Sequence, residues 1–174
     1  TVYATPLTIE VSELLFEDSI KVARMEGYPQ PYNKGDIRKA MGNFQPVDFG
    51  TRIDAGGHEV IVHPAGHIPG AAMYEVVGHE TTLFTGDLNT LSTKLVYGVH
   101  PVKCDNLIIE STYAGRSHPE RLKLEYEFVQ KIKEVMSRGG KAIVPAFAVG
   151  RTQEIMLILR EQKFNAGIDG MGST

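Results

Sequence analysis

The 174-residue chain contains 42% hydrophobic and 22% charged residues and carries a formal net charge of −3, a composition typical of globular domains. This mild negative charge argues against a module with a broad basic face for nucleic acid, but it leaves the partner undecided. No apolar run approaches the roughly 20 residues of a membrane-spanning helix, so we expect a cytoplasmic location and no membrane partner. The one cysteine, Cys104, excludes a disulfide framework and a thiolate metal cluster.

The beginning of the chain is predicted to be largely helical. Apolar side chains recur at helical spacing over residues 9–25, and Gly27 ends the pattern. Residues 28–35 contain two prolines, an asparagine and a glycine, which indicates a loop. Asp36 is a suitable N-cap for a short second helix that stops at Gly42.

From residue 47 onwards the sequence is rich in strand-forming residues. Short segments of strand-forming residues alternate with Gly, Pro, Asp and Asn, and Gly56-Gly57 and Gly78-His79 are typical of hairpin connections. We expect an antiparallel series of strands that forms one sheet of a sandwich. The predicted strands cover residues 47–49, 59–63, 71–77, 81–85 and 107–109.

The pattern changes again after Ser117. Residues 122–136 carry a helical apolar stripe, and residues 142–148 form a continuous apolar run, as expected of a strand buried on both faces. Gly150 begins a second predicted helix, and residues 166–168 begin another predicted strand. Because helices and strands alternate, we expect a parallel, Rossmann-like unit with its boundary near residues 115–118.

Three residues able to bind a metal follow predicted strands: His67, Asp87 and Glu110. Gly66 and Gly86 precede the first two, and glycine lets the backbone turn sharply, so the side chains can share a cleft at the sheet edge. An imidazole with carboxylates suits zinc or a similar divalent ion, and Asp87 could bridge two ions. By spacing alone, the alternatives are a turn-forming aspartate and a surface histidine.

His63 and His67 have the spacing of a helical metal-binding pair. Pro64 and Gly66 lie between them and exclude a helix, so His63 is predicted to be a strand residue. No role is predicted for the remaining histidines: His58, His79, His100 and His118.

The sequence around the three candidate residues resembles three consecutive motifs of the β-CASP nucleases of the metallo-β-lactamase superfamily. These motifs are Pro-Ala-Gly-His-Ile-Pro-Gly-Ala-Ala (64–72), Phe-Thr-Gly-Asp-Leu-Asn (84–89) and Ile-Glu-Ser-Thr-Tyr-Ala-Gly (109–115). Residues 3–8, 15–19 and 144–154 are similar to further family motifs, in family order. The family includes cleavage and polyadenylation specificity factor endonucleases, their archaeal relatives and bacterial J-type ribonucleases, and we expect an archaeal-type member.

The resemblance implies an α/β fold in two parts. Residues 1–116 would be the C-terminal portion of a metallo-β-lactamase αββα sandwich, and residues 117–174 the beginning of a Rossmann-like β-CASP domain. The family's main ligand motif, His-x-His-x-Asp-His, does not occur. The chain also opens on Thr1-Val2-Tyr3, which is typical of the inside of a strand. We therefore expect an incomplete segment of a longer protein that is inactive on its own.

The resemblance also implies roles for the candidate residues. His67 would ligate one metal, Asp87 would bridge two zinc ions, and Glu110 would orient a histidine supplied later in the family's sequence. The expected activity is metal-dependent hydrolysis of single-stranded RNA, in mRNA 3′-end processing or RNA decay. The alternatives are an inactive scaffold subunit of an RNA-processing complex and a DNA-processing nuclease; a homodimer is a further expectation. A small-molecule metallohydrolase is disfavoured by the alternating pattern after residue 117.

Several residues near the expected domain junction are candidates for substrate binding. Tyr113 either stacks on a base or packs at a hinge. Arg151, at the start of the second predicted helix, either holds a phosphate or forms a salt bridge between domains. The full set of candidates is Ser111, Thr112, Tyr113, Arg116 and Arg151.

Overall fold

The chain opens with a pair of strands separated by two helices, in a computed structural model that describes residues 1–173. Strand β1 pairs in parallel with β2 in a two-stranded sheet. The first strand agrees with the strand-like opening residues, whereas the second lies just before the predicted strand at residues 47–49, which is not a strand. The elements are β1 (Val2–Ala4), α1 (Pro6–Glu26), α2 (Lys34–Met41) and β2 (Phe44–Pro46).

Both predicted helices in this part are confirmed, and their caps explain where they begin. Thr5 accepts a hydrogen bond from the Thr8 amide, so α1 begins earlier than predicted, and Gly27 ends it. The cap of α2 is Asn33 and the prediction of Asp36 in that position is wrong. The Asn33 side chain accepts a hydrogen bond from the Asp36 amide, and the Asp36 carboxylate accepts one from the Asn33 amide. The two bonds together form a capping box.

A five-stranded sheet follows, in the order β3-β4-β5-β6-β7. The hairpins at Gly56-Gly57 and Gly78-His79 are confirmed, and the first three neighbouring pairs are antiparallel. The last pair, β6 with β7, is parallel, so the predicted antiparallel series is wrong there. Strand β3 was not predicted. The strands are β3 (Arg52–Asp54), β4 (Glu59–Pro64), β5 (Ala72–Val77), β6 (Thr82–Phe84) and β7 (Asn106–Ile108).

The core of this sheet lies around three buried side chains, Ala65, Met73 and Leu83. Cys104 packs against them, in keeping with a small, neutral residue in contact with the core. His63 lies in β4, as predicted, and its Nε2 is 2.7 Å from the Glu75 carboxylate. Within the residues described, no helix has the length and apolar character needed to cross a membrane.

The chain divides into two compact units, and the second contains two helices. Unit 1 consists of Thr1–Ser92 with Gly98–Glu110, and unit 2 of Thr93–Tyr97 with Ser111–Thr174. Both predicted helices of unit 2 are confirmed, and the mixed α/β class is confirmed with them. The elements of unit 2 are α3 (Arg121–Ser137), α4 (Arg151–Glu161) and a short 3-10 turn, Gly170–Ser173.

The two strands predicted in unit 2 are not present. Residues 142–147 have no regular secondary structure, residue 148 lies in a turn, and Ile143 and Phe147 are 91% and 85% exposed. Residues 166–168 form no strand either. An extended segment becomes a strand only when a neighbour accepts its backbone hydrogen bonds, and no such neighbour exists in the described part of unit 2. The expected parallel sheet is therefore not formed by these residues.

A network of charged side chains holds unit 2 together around Glu154. This carboxylate is 4% exposed and pairs with the guanidinium of Arg121 through Oε1, which also accepts the Lys94 amide at 3.0 Å. Arg121 is also 2.6 Å from Glu125. The Lys94 ammonium lies 2.7 Å from Glu161, and this hydrogen bond raises the pKa of Lys94 against the opposing effect of burial. Glu154 thus carries a buried charge that depends on its partners.

Arg121→Met is expected to lower the free energy of unfolding of unit 2 by about 2–4 kcal/mol, because it leaves the Glu154 carboxylate buried without its cation. The double variant Arg121→Met/Glu154→Met should recover much of this loss. Hydrogen exchange at the amides of α3 and α4 measures both changes. Additive losses in the double variant would contradict the assigned pairing.

Candidate active site

The three candidate residues lie at one edge of the five-stranded sheet. Strands β4, β6 and β7 run in the same direction, so their carboxyl ends meet at the same edge. His67 lies in the loop after β4, Asp87 in the loop after β6, and Glu110 just after β7. The strand directions therefore bring the three residues to one edge of the sheet.

His67 and Asp87 face each other across two neighbouring loops. The His67 Nε2 and the Asp87 Oδ2 are 3.9 Å apart, and the side chains are 40% and 69% exposed. Two ligands of one tetrahedral zinc ion, each bonded at its usual length, are separated by about 3.4 Å. The pair is thus close to the spacing of two donors to a single ion, and solvent can reach it.

The loop that carries His67 is clamped to the beginning of α1. The carbonyl of Gly70 accepts hydrogen bonds from the hydroxyls of Thr5 at 2.8 Å and Thr8 at 3.1 Å. Thr5 is 4% exposed, so these bonds form away from water, where an unsatisfied carbonyl would be costly. Gly70 has a φ of +85°, and a Cβ there would lie 3.0 Å from both hydroxyl oxygens.

The loop that carries Asp87 is held by Glu110. The Oε1 atom of Glu110 accepts the amide of Leu88, the residue after Asp87, at 2.9 Å. The amide of Asn89 donates to the carbonyl of Ala65 at 3.0 Å and ties this loop to the one that carries His67. Glu110 therefore positions the backbone next to Asp87. Its predicted role towards a later histidine stays a prediction.

The donor atoms present fit part of a metal site. An imidazole nitrogen and a carboxylate oxygen are ligands that zinc prefers, and His67 and Asp87 supply one of each. Catalytic zinc sites usually have three protein ligands. Across residues 1–173, no cluster of three or more His, Cys, Asp or Glu side chains could hold a metal ion. The pair of donors is therefore one short of such a site within the described residues.

The candidate substrate-binding residues belong to unit 2 and are all exposed: Ser111, Thr112, Tyr113, Arg116 and Arg151. Arg151 is the first residue of α4, which has no side-chain cap. Tyr113 contacts the ring of His118, for which no role was predicted. The substrate roles of these residues stay predictions.

Sequence reasoning missed Thr5 and Thr8 as residues that hold the His67 loop. They are more than 60 residues from Gly70 in the chain, so no local pattern links them. The similarity of residues 3–8 to a family motif was the only signal in this region.

Proteins similar in sequence to this chain include two ribonucleases and a cleavage and polyadenylation specificity factor subunit, by name. No family model matches the chain. It is 37% identical over 178 residues to “Probable RNase MJ4” of Methanocaldococcus jannaschii, covering 98% of this chain and 42% of that protein. It is 35% identical to “RNase aCSPSF2” of Saccharolobus solfataricus, covering 98% of this chain and 35% of that protein. It is 34% identical to “Cleavage and polyadenylation specificity factor subunit 3” of Dictyostelium discoideum, covering 92% of this chain and 21% of that protein.

These similarities extend over nearly all of the chain and agree with the motifs around His67, Asp87 and Glu110. The chain belongs to the β-CASP family of the metallo-β-lactamase superfamily. It spans less than half the length of the relatives named above. Membership of this superfamily points to metal ions as cofactors.

Gly70→Ala is expected to destabilise unit 1 more than Gly56→Ala does. Both residues have a left-handed φ, +85° and +69°, so alanine at either position costs about 1–2 kcal/mol in backbone strain. Only at Gly70 would the new Cβ also press on the hydroxyls of Thr5 and Thr8, whereas Gly56 has open space. Denaturant unfolding measures the difference, and equal losses would contradict the clamp.

Glu110→Ala is expected to speed hydrogen exchange at the Leu88 amide by roughly tenfold or more, because a hydrogen bond to a charged acceptor contributes about 1.5–3 kcal/mol. Glu110→Gln keeps an acceptor oxygen and should give a smaller change. Amide exchange followed by NMR measures both. Unchanged exchange in the alanine variant would show that Glu110 does not hold this loop.

Proposed function

We propose that this chain forms part of a metal-dependent phosphodiesterase that cleaves RNA. The observation that carries the proposal is the pairing of His67 with Asp87, 3.9 Å apart at the sheet edge where β4 and β6 end. Two backbone-anchored loops present these donors to solvent, where a phosphodiester could approach. Family membership supports the same reaction class.

Zinc is the proposed metal, with two ions in the complete site. His67 would ligate one ion through its imidazole, and the two oxygens of the exposed Asp87 carboxylate would allow it to bridge both. Bound metal ions would stabilise the attacking and leaving oxygens of an in-line displacement at phosphorus. The role of Glu110 in this scheme is to keep the Asp87 loop in place through the Leu88 amide.

RNA is the proposed substrate, and DNA is the weaker alternative. The names of two relatives, “Probable RNase MJ4” and “RNase aCSPSF2”, specify RNA. An inactive scaffold is disfavoured because His67 and Asp87 are both present and close together. Two donors are fewer than the three protein ligands of catalytic zinc sites, so we expect the isolated chain to bind zinc weakly and to lack nuclease activity. A cytoplasmic location and a homodimer stay predictions.

Asp87→Ala, introduced into the full-length product of the gene, is expected to lower RNA cleavage by at least about a thousandfold and to reduce bound zinc, because the bridging ligand is removed. The fold should be retained, since the side chain is 69% exposed. Cleavage of a labelled RNA, metal analysis and circular dichroism measure the three quantities.

Glu80→Ala is the matched control for Asp87→Ala. It removes an exposed carboxylate from the β5–β6 turn, at the opposite edge of the same sheet, and so makes the same change in net charge. Cleavage and zinc content should match those of the unmodified protein. Full cleavage and full zinc content in Asp87→Ala would overturn the proposed role of this residue. An unmodified protein that cleaves no RNA in the presence of zinc would overturn the proposed function itself.

A further inference from the structure

Two aromatic rings stand together on the surface of unit 2. The ring centroids of Tyr113 and His118 are 4.4 Å apart and the ring planes meet at 69°, an edge-to-face contact. Tyr113 is 57% exposed, and every residue from 111 to 120 is exposed. Contacts of this kind contribute about 0.5–1.5 kcal/mol in proteins. The rings are thus held against each other while both remain open to solvent.

The backbone between the rings is arranged to bring them together. The amide of Ala114 donates to the carbonyl of Ser111, and the amide of Arg116 donates to the carbonyl of Tyr113, each at 3.0 Å. Gly115 has a left-handed φ of +71°, which reverses the chain after Tyr113. These successive turns place the two rings side by side although four residues lie between them in the sequence.

An edge-to-face pair leaves ring surface available to a third planar group. One ring presents its edge to the face of the other, so its own two faces and the far face of its partner are not covered by the pair. Within the described residues, no hydrogen bond from another side chain ties down the Tyr113 hydroxyl or the His118 ring. The two ring planes form a corner, and a flat ligand could stack on one ring with its edge against the other.

The residues around this corner favour a nucleotide. Besides the two rings, the segment from Ser111 to Pro119 contains Arg116, three aliphatic hydroxyl side chains and no carboxylate, so nothing within it repels a phosphate. Glu120, the next residue, is engaged at the start of α3, where it accepts the amides of Leu122 and Lys123. Aromatic rings beside a cation and hydroxyls are the usual components of a site for unpaired nucleotides.

We infer that Tyr113 and His118 form a stacking site for one unpaired base of single-stranded RNA, with Arg116 available to the adjoining phosphate. The inference takes its ligand class from the proposed function and adds a specific contact to it. His118 is assigned a binding role that the sequence alone did not indicate. The site requires no metal, so the chain can be tested for it without a complete metal centre.

The test is binding of a labelled ten-nucleotide single-stranded RNA to the full chain, measured by fluorescence anisotropy without metal. Tyr113→Ala should weaken binding roughly five- to 150-fold, the range observed when one stacking ring is removed. His118→Ala should weaken it in the same direction, and Tyr113→Phe should bind within about twofold of the unmodified chain because the ring is kept. Tyr28→Ala, which removes a tyrosine that is 65% exposed in unit 1, is the matched control and should have no effect.

An abasic oligomer with the same sugar–phosphate backbone separates stacking from phosphate contact. The unmodified chain and Tyr113→Ala should bind this oligomer equally. The inference would be overturned if the two proteins bound the base-containing RNA equally, or if Tyr113→Ala weakened binding to both oligomers by the same factor. It would also be overturned if the unmodified chain bound no RNA. Failure of the proposed function is detected separately, as absence of RNA cleavage by the full-length protein while base-dependent binding to the ring pair is retained.

Discussion

The parallel pairing of β6 with β7 is the constraint on which the candidate site depends. Since β4 also runs in this direction, all three strands end at one edge of the sheet, and the residues that follow them become neighbours. An antiparallel β7 would have carried Glu110 to the opposite edge, away from Asp87. Three residue pairs between β6 and β7 therefore determine which side chains lie close enough to act together.

Hydrogen bonds to the backbone, more than packing of the His67 and Asp87 side chains, keep this arrangement in place. His67 and Asp87 are substantially exposed, so little burial energy fixes their positions. Their loops are anchored on either side, by the buried hydroxyl of Thr5 at Gly70 and by the carboxylate of Glu110 at Leu88. Such bonds contribute about 0.5–3 kcal/mol each, enough to favour one loop conformation over its alternatives. On their anchored loops, the two exposed side chains remain open to the proposed metal ion and phosphodiester.

Local patterns predicted the local elements, and most errors arose where distant residues decide the outcome. Helical spacing located α1 and α3, because each carries its own apolar stripe. Strand direction, the clamp on Gly70 and the pairing of Glu154 with Arg121 depend on residues far apart in sequence. The apolar run at 142–148 has strand composition, but composition cannot supply the neighbouring strand that its backbone requires. The three site residues were found because glycines and strand ends mark them, and the motif resemblance gave them their proposed roles.

We propose that His67 and Asp87 bind the same metal ion at this sheet edge. The most direct measurement is anomalous diffraction at the zinc absorption edge from crystals of the zinc-loaded, full-length protein. We predict an anomalous peak at about 2.0–2.2 Å from both a ring nitrogen of His67 and a carboxylate oxygen of Asp87. Zinc bound elsewhere in the protein, with neither residue among its ligands, would contradict it.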